Sequence, residues 1–313
     1  MKGRILVLLC ALVPLALRAQ QLSQYTQYVF NHFSVNPAVA GSKDCLDVRL
    51  GYRKQWTGFE GAPTTGWASL HGAITPKGKP FQKNKHGVGM FIESDNAGNW
   101  GYTRLLLAYA YHIQMSKDYY LSFGFFGGAQ QMKFNAGDAR TVQLDDPALD
   151  GKASTMVIPE ITPGVWAYTK VAWAGLSMHQ ALGNNIKGIG VDSKLARQFM
   201  LSAGYKYRIA KKTALVPCML AKFSKGVPMA LDINAMVEWN KQFAVGVGYR
   251  NSDAVTFLMK VSFAKYFQLG YSYDVTTSKL RVASSNTHEI ILGITPCGRE
   301  RAGRRAIACP AFD

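Results

Sequence analysis

The chain has 313 residues, 48% of them hydrophobic, and a formal charge of +17. That length suits one large domain or two small ones, and no stretch after residue 19 holds about 18 consecutive apolar residues, which excludes a transmembrane helix. A basic balance of this size points to nucleic acid or to an anionic membrane face.

Lys2 and Arg4 precede an apolar run from Ile5 to Leu17, and Leu17-Arg18-Ala19 offers a small residue before Gln20. This is the layout of a cleaved secretory signal, assigned here to residues 1–19. A lipoprotein anchor at Cys10 is the rival, and Leu9 stands where it would need a small residue. Export removes nucleic acid from the expected partners and leaves lipid headgroups or an acidic protein. It also permits disulfides among Cys45, Cys218, Cys297 and Cys309 without requiring them.

Residues 20–44 form an N-terminal arm in which Gln24, Tyr25, Tyr28, Phe30 and Phe33 look made to pack, and Asn36-Pro37 and Gly41 mark turns. From residue 45 to 295 the dominant signal is alternation. Phe243, Val245, Val247 and Tyr249 interleave with Ala244, Gly246, Gly248 and Arg250, and the segments 199–209, 231–240 and 267–274 repeat the pattern. A period of two puts each set on one face of a strand, apolar and aromatic on one side, polar or glycine on the other.

Applied throughout, this predicts about fourteen strands. Their spans are 46–55, 64–74, 86–94, 101–115, 118–134, 162–168, 171–180, 198–210, 213–223, 230–240, 242–250, 255–263, 265–274 and 287–295. Most reach the roughly 9–11 residues that a tilted strand needs to cross a bilayer. Connections after even strands are mostly tiny, with 75–85 the exception. Those after odd strands run longer, notably 135–161, 181–197 and 275–286. Short periplasmic turns and long outer loops are the habit of outer-membrane barrels, and an even strand number puts both termini on the periplasmic side. The expected fold is therefore all-β: a transmembrane antiparallel up-and-down β-barrel, with the N-terminal arm folded into its periplasmic mouth. A soluble β-sandwich also alternates. Aromatics near strand ends on one face, and Gly, Asn, Lys, Arg and Glu on the other, favour the membrane barrel. Residues 296–313 make a basic, Arg-rich tail, expected to be periplasmic. Cys297 and Cys309 have eleven residues between them, short enough for a disulfide to clip the tail.

Signatures of catalysis are missing from the sequence: there is no Gly-x-Ser-x-Gly elbow, P-loop or His-Glu-x-x-His. Gly188-Ile189-Gly190 is too weak for a nucleotide fingerprint, Asp145-Asp146 reads as a solvated loop tip, and the cysteines lack metal-ligand spacing. The reading is of a non-enzyme with no cofactor and no metal.

Three segments carry a resemblance. The arm ends in Asn36-Pro37-Ala38-Val39-Ala40-Gly41-Ser42. The first two strands are joined through Tyr52-Arg53-Lys54-Gln55-Trp56-Thr57-Gly58-Phe59-Glu60-Gly61-Ala62-Pro63. The last strand reads Thr287-His288-Glu289-Ile290-Ile291-Leu292-Gly293, and the chain ends near Cys309-Pro310. In these the chain resembles the PorP/SprF family of the Bacteroidetes type IX secretion system. The resemblance implies a component of secretion or gliding machinery in the bacterial outer membrane. It implies as partners the periplasmic secretion components, a peptidoglycan-binding lipoprotein and a large secreted surface adhesin. The family-motif positions Gln24, Tyr28, Asn36, Pro37, Gly41, Arg53, Gln55, Trp56, Gly58, Pro63, His288 and Glu289 are the partner-contact candidates. A second reading, from another class, is a passive outer-membrane solute channel, with Lys206, Arg208 and Glu238 as lumen charges that would admit small anions. An outer-membrane enzyme ranks last, because no nucleophile–base set is visible.

Overall fold

The computed structural model of the protein describes residues 22–43, 45–74, 84–135, 154–186, 194–264, 266–282 and 286–296. Alternation produces strands wherever it is sustained: β1 (Asp47–Lys54), β2 (Thr64–Ile74), β3 (Lys85–Ala97), β4 (Trp100–Ser116), β5 (Tyr119–Phe134), β6 (Ser154–Tyr168), β7 (Ala172–His179), β8 (Gln198–Tyr205), β9 (Tyr207–Ala210), β10 (Thr213–Ser224), β11 (Val227–Trp239), β12 (Phe243–Arg250), β13 (Ala254–Phe263), β14 (Phe267–Thr276) and β15 (Thr287–Ile294). Each pairs antiparallel with its sequence neighbour, and the first strand also pairs with the last, Val48 opposite Ile294 and Lys54 opposite His288. The sheet thus closes on itself and leaves no edge to satisfy in lipid. β8 and β9 both pair with β10 and occupy one position in the wall. The fifteen segments therefore make a closed fourteen-stranded barrel.

The expected strands all form, with two corrections. Strand 162–168 begins at Ser154, so the expected loop 135–161 shortens from its far end. Pro159 and Pro163 obscured it. The stretch 154–163 pairs with β5 but lies beyond the β7 ladder, which starts at Gly164, and proline is tolerated where no neighbour needs its missing N–H. The expected strand 198–210 is broken at Lys206. On β10 the gap spans Val216 and Pro217, between the β9 pairing at Leu215 and the β8 pairing at Cys218. The Lys206 amide turns the other way and donates to Val171 O at 2.6 Å.

Burial is inverted relative to a soluble protein. Val245 and Val247 are 61% and 55% exposed, whereas Arg250 and Arg104 are 2% exposed. An apolar exterior and a charged interior place the hydrocarbon outside the wall. The barrel has two mouths. The turn mouth carries the tight connections 117–118, 169–171, 211–212, 240–242 and 264–266, and the end of β15. The loop mouth carries 55–63, 180–197 and 277–286 as well as the tight turns 98–99, 225–226 and 251–253.

Candidate functional site

The lumen is occupied by the arm. The regular structure among its described residues is three short 3-10 turns, Gln27–Phe30, His32–Ser34 and Pro37–Val39. Leu22 and Gln24 lie at the loop mouth, beside Gln198, Lys222 and Val227. Lys43 lies at the turn mouth and bonds Asp47 at the start of β1, with Nζ 2.7 Å from Oδ2. The arm therefore runs from one mouth to the other. The expectation of an arm folded into a single mouth is corrected. The described arm begins at the loop mouth, whereas β15 ends at the turn mouth. The physical reason is that binding groups for the arm line the whole length of the lumen.

At the loop mouth the arm is held by charge. Arg53 Nη1 donates to Thr26 Oγ1 at 2.8 Å and to Glu289 Oε2 at 2.9 Å, while Nη2 reaches Asp274 Oδ2 at 3.0 Å. Arg250 Nη2 also donates to Thr26 Oγ1, at 2.9 Å, and that hydroxyl donates to Asp274 Oδ2 at 2.6 Å. A hydroxyl has one proton and two lone pairs, so Thr26 is saturated. The Thr26 amide donates to Glu289 Oε2 at 2.8 Å, and Gln27 Nε2 to the Glu289 carbonyl at 2.7 Å. Arg250 Nε continues the network to Asp232 Oδ1 at 2.5 Å, and Lys222 Nζ lies 3.3 Å from Asp232 Oδ2. A parallel cluster holds the arm's start: Ser23 Oγ lies 2.7 Å from the Tyr102 hydroxyl, which donates to Glu93, itself paired with Arg104. Buried charges persist only when paired in this way.

In mid-lumen the arm is held by rings. His32 lies among Tyr28, Trp166 and Trp173, with centroid distances of 5.9, 5.4 and 5.6 Å. The Tyr28 hydroxyl accepts from Asn234 Nδ2 at 2.9 Å. Phe33 packs on His71 and Phe126 at 4.6 and 5.0 Å.

Below this, the Asn-Pro-Ala-x-Ala-Gly-Ser segment sits in a cradle of glycines. Asn36 Oδ1 accepts from the Ala38 amide at 3.0 Å, capping the third 3-10 turn, while Nδ2 donates to Val165 O at 2.9 Å and Leu176 O at 3.3 Å. One side chain thus binds the arm to two neighbouring strands. A Cβ at Gly164 would lie 2.3 Å from Asn36 Oδ1, and one at Gly124 2.7 Å from Ala38 Cα. Gly41 has φ +72°, and a Cβ on Gly87 would lie 1.9 Å from Ala40 O, so only glycine admits the arm's exit. The arm has no ladder, and wall side chains satisfy its carbonyls. Ser177 Oγ and His179 Nε2 reach Val35 O at 2.6 and 2.9 Å, Ser122 Oγ reaches Ala38 O at 2.8 Å, and His112 Nε2 reaches Ala40 O at 2.7 Å.

The structure brings Tyr28, Asn36, Pro37, Gly41, Arg53 and Glu289 into this lumen site, and sets Gln24 at its edge. Gln55, Trp56, Gly58 and Pro63 stay outside it, in the 55–63 connection. There the Gln55 amide donates to Pro63 O at 2.9 Å, the Trp56 amide donates to Thr287 Oγ1 at 3.1 Å, and Trp56 and Gly58 have positive φ. His288 points to the other face from Glu289. Its Nδ1 lies 2.8 Å from the Tyr271 hydroxyl. Lys206 and Glu238 are paired in the lumen at 2.9 Å, and Arg208 is exposed. Sequence reasoning missed Thr26, Asp274, Arg250, Asp232, Glu93 and Arg104. For the five charged residues the signal was a charge at an inward position of a strand; Thr26 had none. Cys297 and Cys309 lie outside the described residues.

A model of the family described as type IX secretion system membrane protein PorP/SprF matches residues 17–294. No curated protein matches the chain. Among solved structures the chain is similar to the Ralstonia pickettii toluene transporter TbuX, with a TM-score of 0.52 and 10% identity over 84% of this chain and 92% of that one. It is also similar to the Pseudomonas putida toluene transporter TodX, at 0.45 and 10% over 88% and 93%, and to a Pseudomonas aeruginosa FadL homologue, at 0.44 and 10% over 86% and 92%. At these identities the likeness to TbuX speaks for the outer-membrane barrel architecture alone.

Proposed function

Because the chain belongs to the PorP/SprF family of type IX secretion system membrane proteins, we propose that it is a non-enzymatic scaffold of that machinery, a barrel filled by its own arm. It would bind machinery at one mouth and a secreted surface protein at the other. The observation that carries this reading is the arm itself. It is bonded to strands on opposite sides of the wall, from Asn234 and Asp274 to Ser122 and Ser177. A pathway for solutes would have to displace it. Strands occupied by lipid and by ladder hydrogen bonds leave only the two mouths for partners.

We place the turn mouth in the periplasm, as short turns lie in outer-membrane barrels. The basic tail and the Lys-rich 75–85 connection would then face the periplasmic secretion components and a peptidoglycan-binding lipoprotein, with charge aiding encounter. The loop mouth would face a large adhesin or other cargo. That mouth carries the family-motif residues Gln55, Trp56, Gly58 and Pro63 in the 55–63 connection, and Gln24 near the arm's start. Planar-bilayer conductance and co-purification from native membranes test the reading together. Wild-type barrel should be silent and should bring down periplasmic secretion components. Steady conductance without such partners would overturn it in favour of the solute channel.

A further inference from the structure

The lumen site leaves His288 unused. On β15 it alternates with Glu289 and so faces outward, where the wall meets lipid. The strands on either side bring polar groups to it. Lys54 of β1 and Tyr273 of β14 both stand directly opposite His288 in the ladders that flank β15. Opposed residues share a face, with Cα atoms about 4.5–5.5 Å apart. The Tyr271 hydroxyl lies 2.8 Å from His288 Nδ1, and the Tyr273 ring centroid lies 5.1 Å from that of the imidazole. Asn286 Nδ2 donates to the Tyr273 hydroxyl at 2.6 Å.

These bonds decide what the cluster can offer. A hydroxyl donating to Nδ1 leaves the imidazole proton on Nε2. The Tyr273 oxygen accepts from Asn286 and keeps its own proton to give. Lys54, exposed at the end of β1, adds an ammonium. The outer face thus presents donors of different kinds together with a full positive charge, which suits an oxygen-rich anion.

The level of the cluster in the wall says which anion. One ladder step toward the turn mouth stand Tyr52, Ile290 and Tyr271, and a further step on stand Leu50, Leu292 and Leu269. Tyr52, Ile290, Leu50, Leu292 and Leu269 are exposed to the hydrocarbon. In the other direction the chain enters the connections 55–63 and 277–286, which carry Lys279 and Arg281 against Glu60. The cluster therefore sits where hydrocarbon gives way to headgroups, beside tyrosine rings of the kind that mark that level. We propose that Lys54, His288 and Tyr273 bind the phosphate of an anionic lipid headgroup in the leaflet at the loop mouth, with its acyl chains lying down the wall over Ile290 and Leu292. The seam then grips on both faces at neighbouring positions. Arg53 and Glu289 hold the arm inside, and Lys54 and His288 hold a lipid outside.

Native mass spectrometry of the full-length barrel, offered equal amounts of phosphatidic acid and zwitterionic phosphatidylcholine in detergent, tests this. The wild type should retain phosphatidic acid in preference. Lys54→Met and His288→Phe keep the bulk of each side chain and leave the lumen untouched. Each should lower that retention about tenfold, the worth of one charge-assisted hydrogen bond. Lys133→Met, at an exposed lysine near the loop-mouth end of β5, should leave it unchanged. Equal retention of the two lipids by the wild type, or the same loss in Lys133→Met, would overturn the proposal. So would displacement of phosphatidic acid by inorganic phosphate, which would make this a site for free anions. A photoreactive phosphatidic acid supplies a readout that needs no variant to fold. It should mark β1, β14 or β15 of the wild type, and marks confined to other strands would refute the site.

Discussion

Arg53 and Glu289 stand directly opposite one another in the ladder between the first and last strands, and both hold Thr26 of the arm. The pair that closes the wall is thus also the pair that fastens its contents. Removing one partner leaves a buried charge uncompensated, which costs about 3–5 kcal/mol. Glu289→Ala should therefore loosen the arm's start far more than a change at an exposed site. A cysteine introduced at Gln24 should label at least tenfold faster in Glu289→Ala than in the otherwise wild-type barrel. Equal labelling would mean that the latch does not hold the arm.

Glycine size at the arm's exit should matter as much as charge at its entrance. Gly87→Ala would put a methyl within 1.9 Å of Ala40 O, a backbone atom that cannot swing away. The variant should expose the arm to added protease and lower the temperature at which the barrel loses its compact gel migration. Gly66→Ala, with open space around its Cβ, serves as the control and should behave as wild type.

The outer face should reject charge for a different reason. Val247 is more than half exposed, toward the hydrocarbon. Val247→Arg should cost about 2–4 kcal/mol in barrel stability near mid-membrane, measured by denaturant unfolding in lipid. Arginine at the inward Gly246 or Ser272 should be no milder, because the lumen has no room: a Cβ on Gly246 would already lie 2.9 Å from Ala235 O, and Ser272 is fully buried. Val247→Ala, which removes bulk without adding charge, should be nearly silent.

The wall was readable in the sequence because a period of two is written in every residue of a strand. Val245 and Ala244 differ in hydropathy for the same reason that they differ in exposure. Proline hid what the pattern did not: Pro159 and Pro163 concealed the first half of β6, and Pro217 marks a break in its neighbour that alternation across 198–210 did not show. The arm was legible in composition but not in path, since short 3-10 turns leave no periodicity to follow. Arg53 and Glu289 stood out from motifs, but their meeting depends on ring closure between residues 236 positions apart. Thr26, the hydroxyl that both arginines grip, has no local signal at all.

The wall's last strand supplies the carboxylate that grips the arm, and the arm precedes every strand of the wall in the chain. Until β15 arrives, Arg53 and the Thr26 and Gln27 amides lack Glu289, and that carboxylate lacks them. Lipid would penalise every one of those vacancies. The arm therefore acts as a mandrel around which the sheet is wrapped. Sealing the ring and neutralising its interior become a single event at the end of assembly. A chain cut before Thr287 should stall as an open, protease-sensitive sheet, even with thirteen of its fourteen wall positions intact.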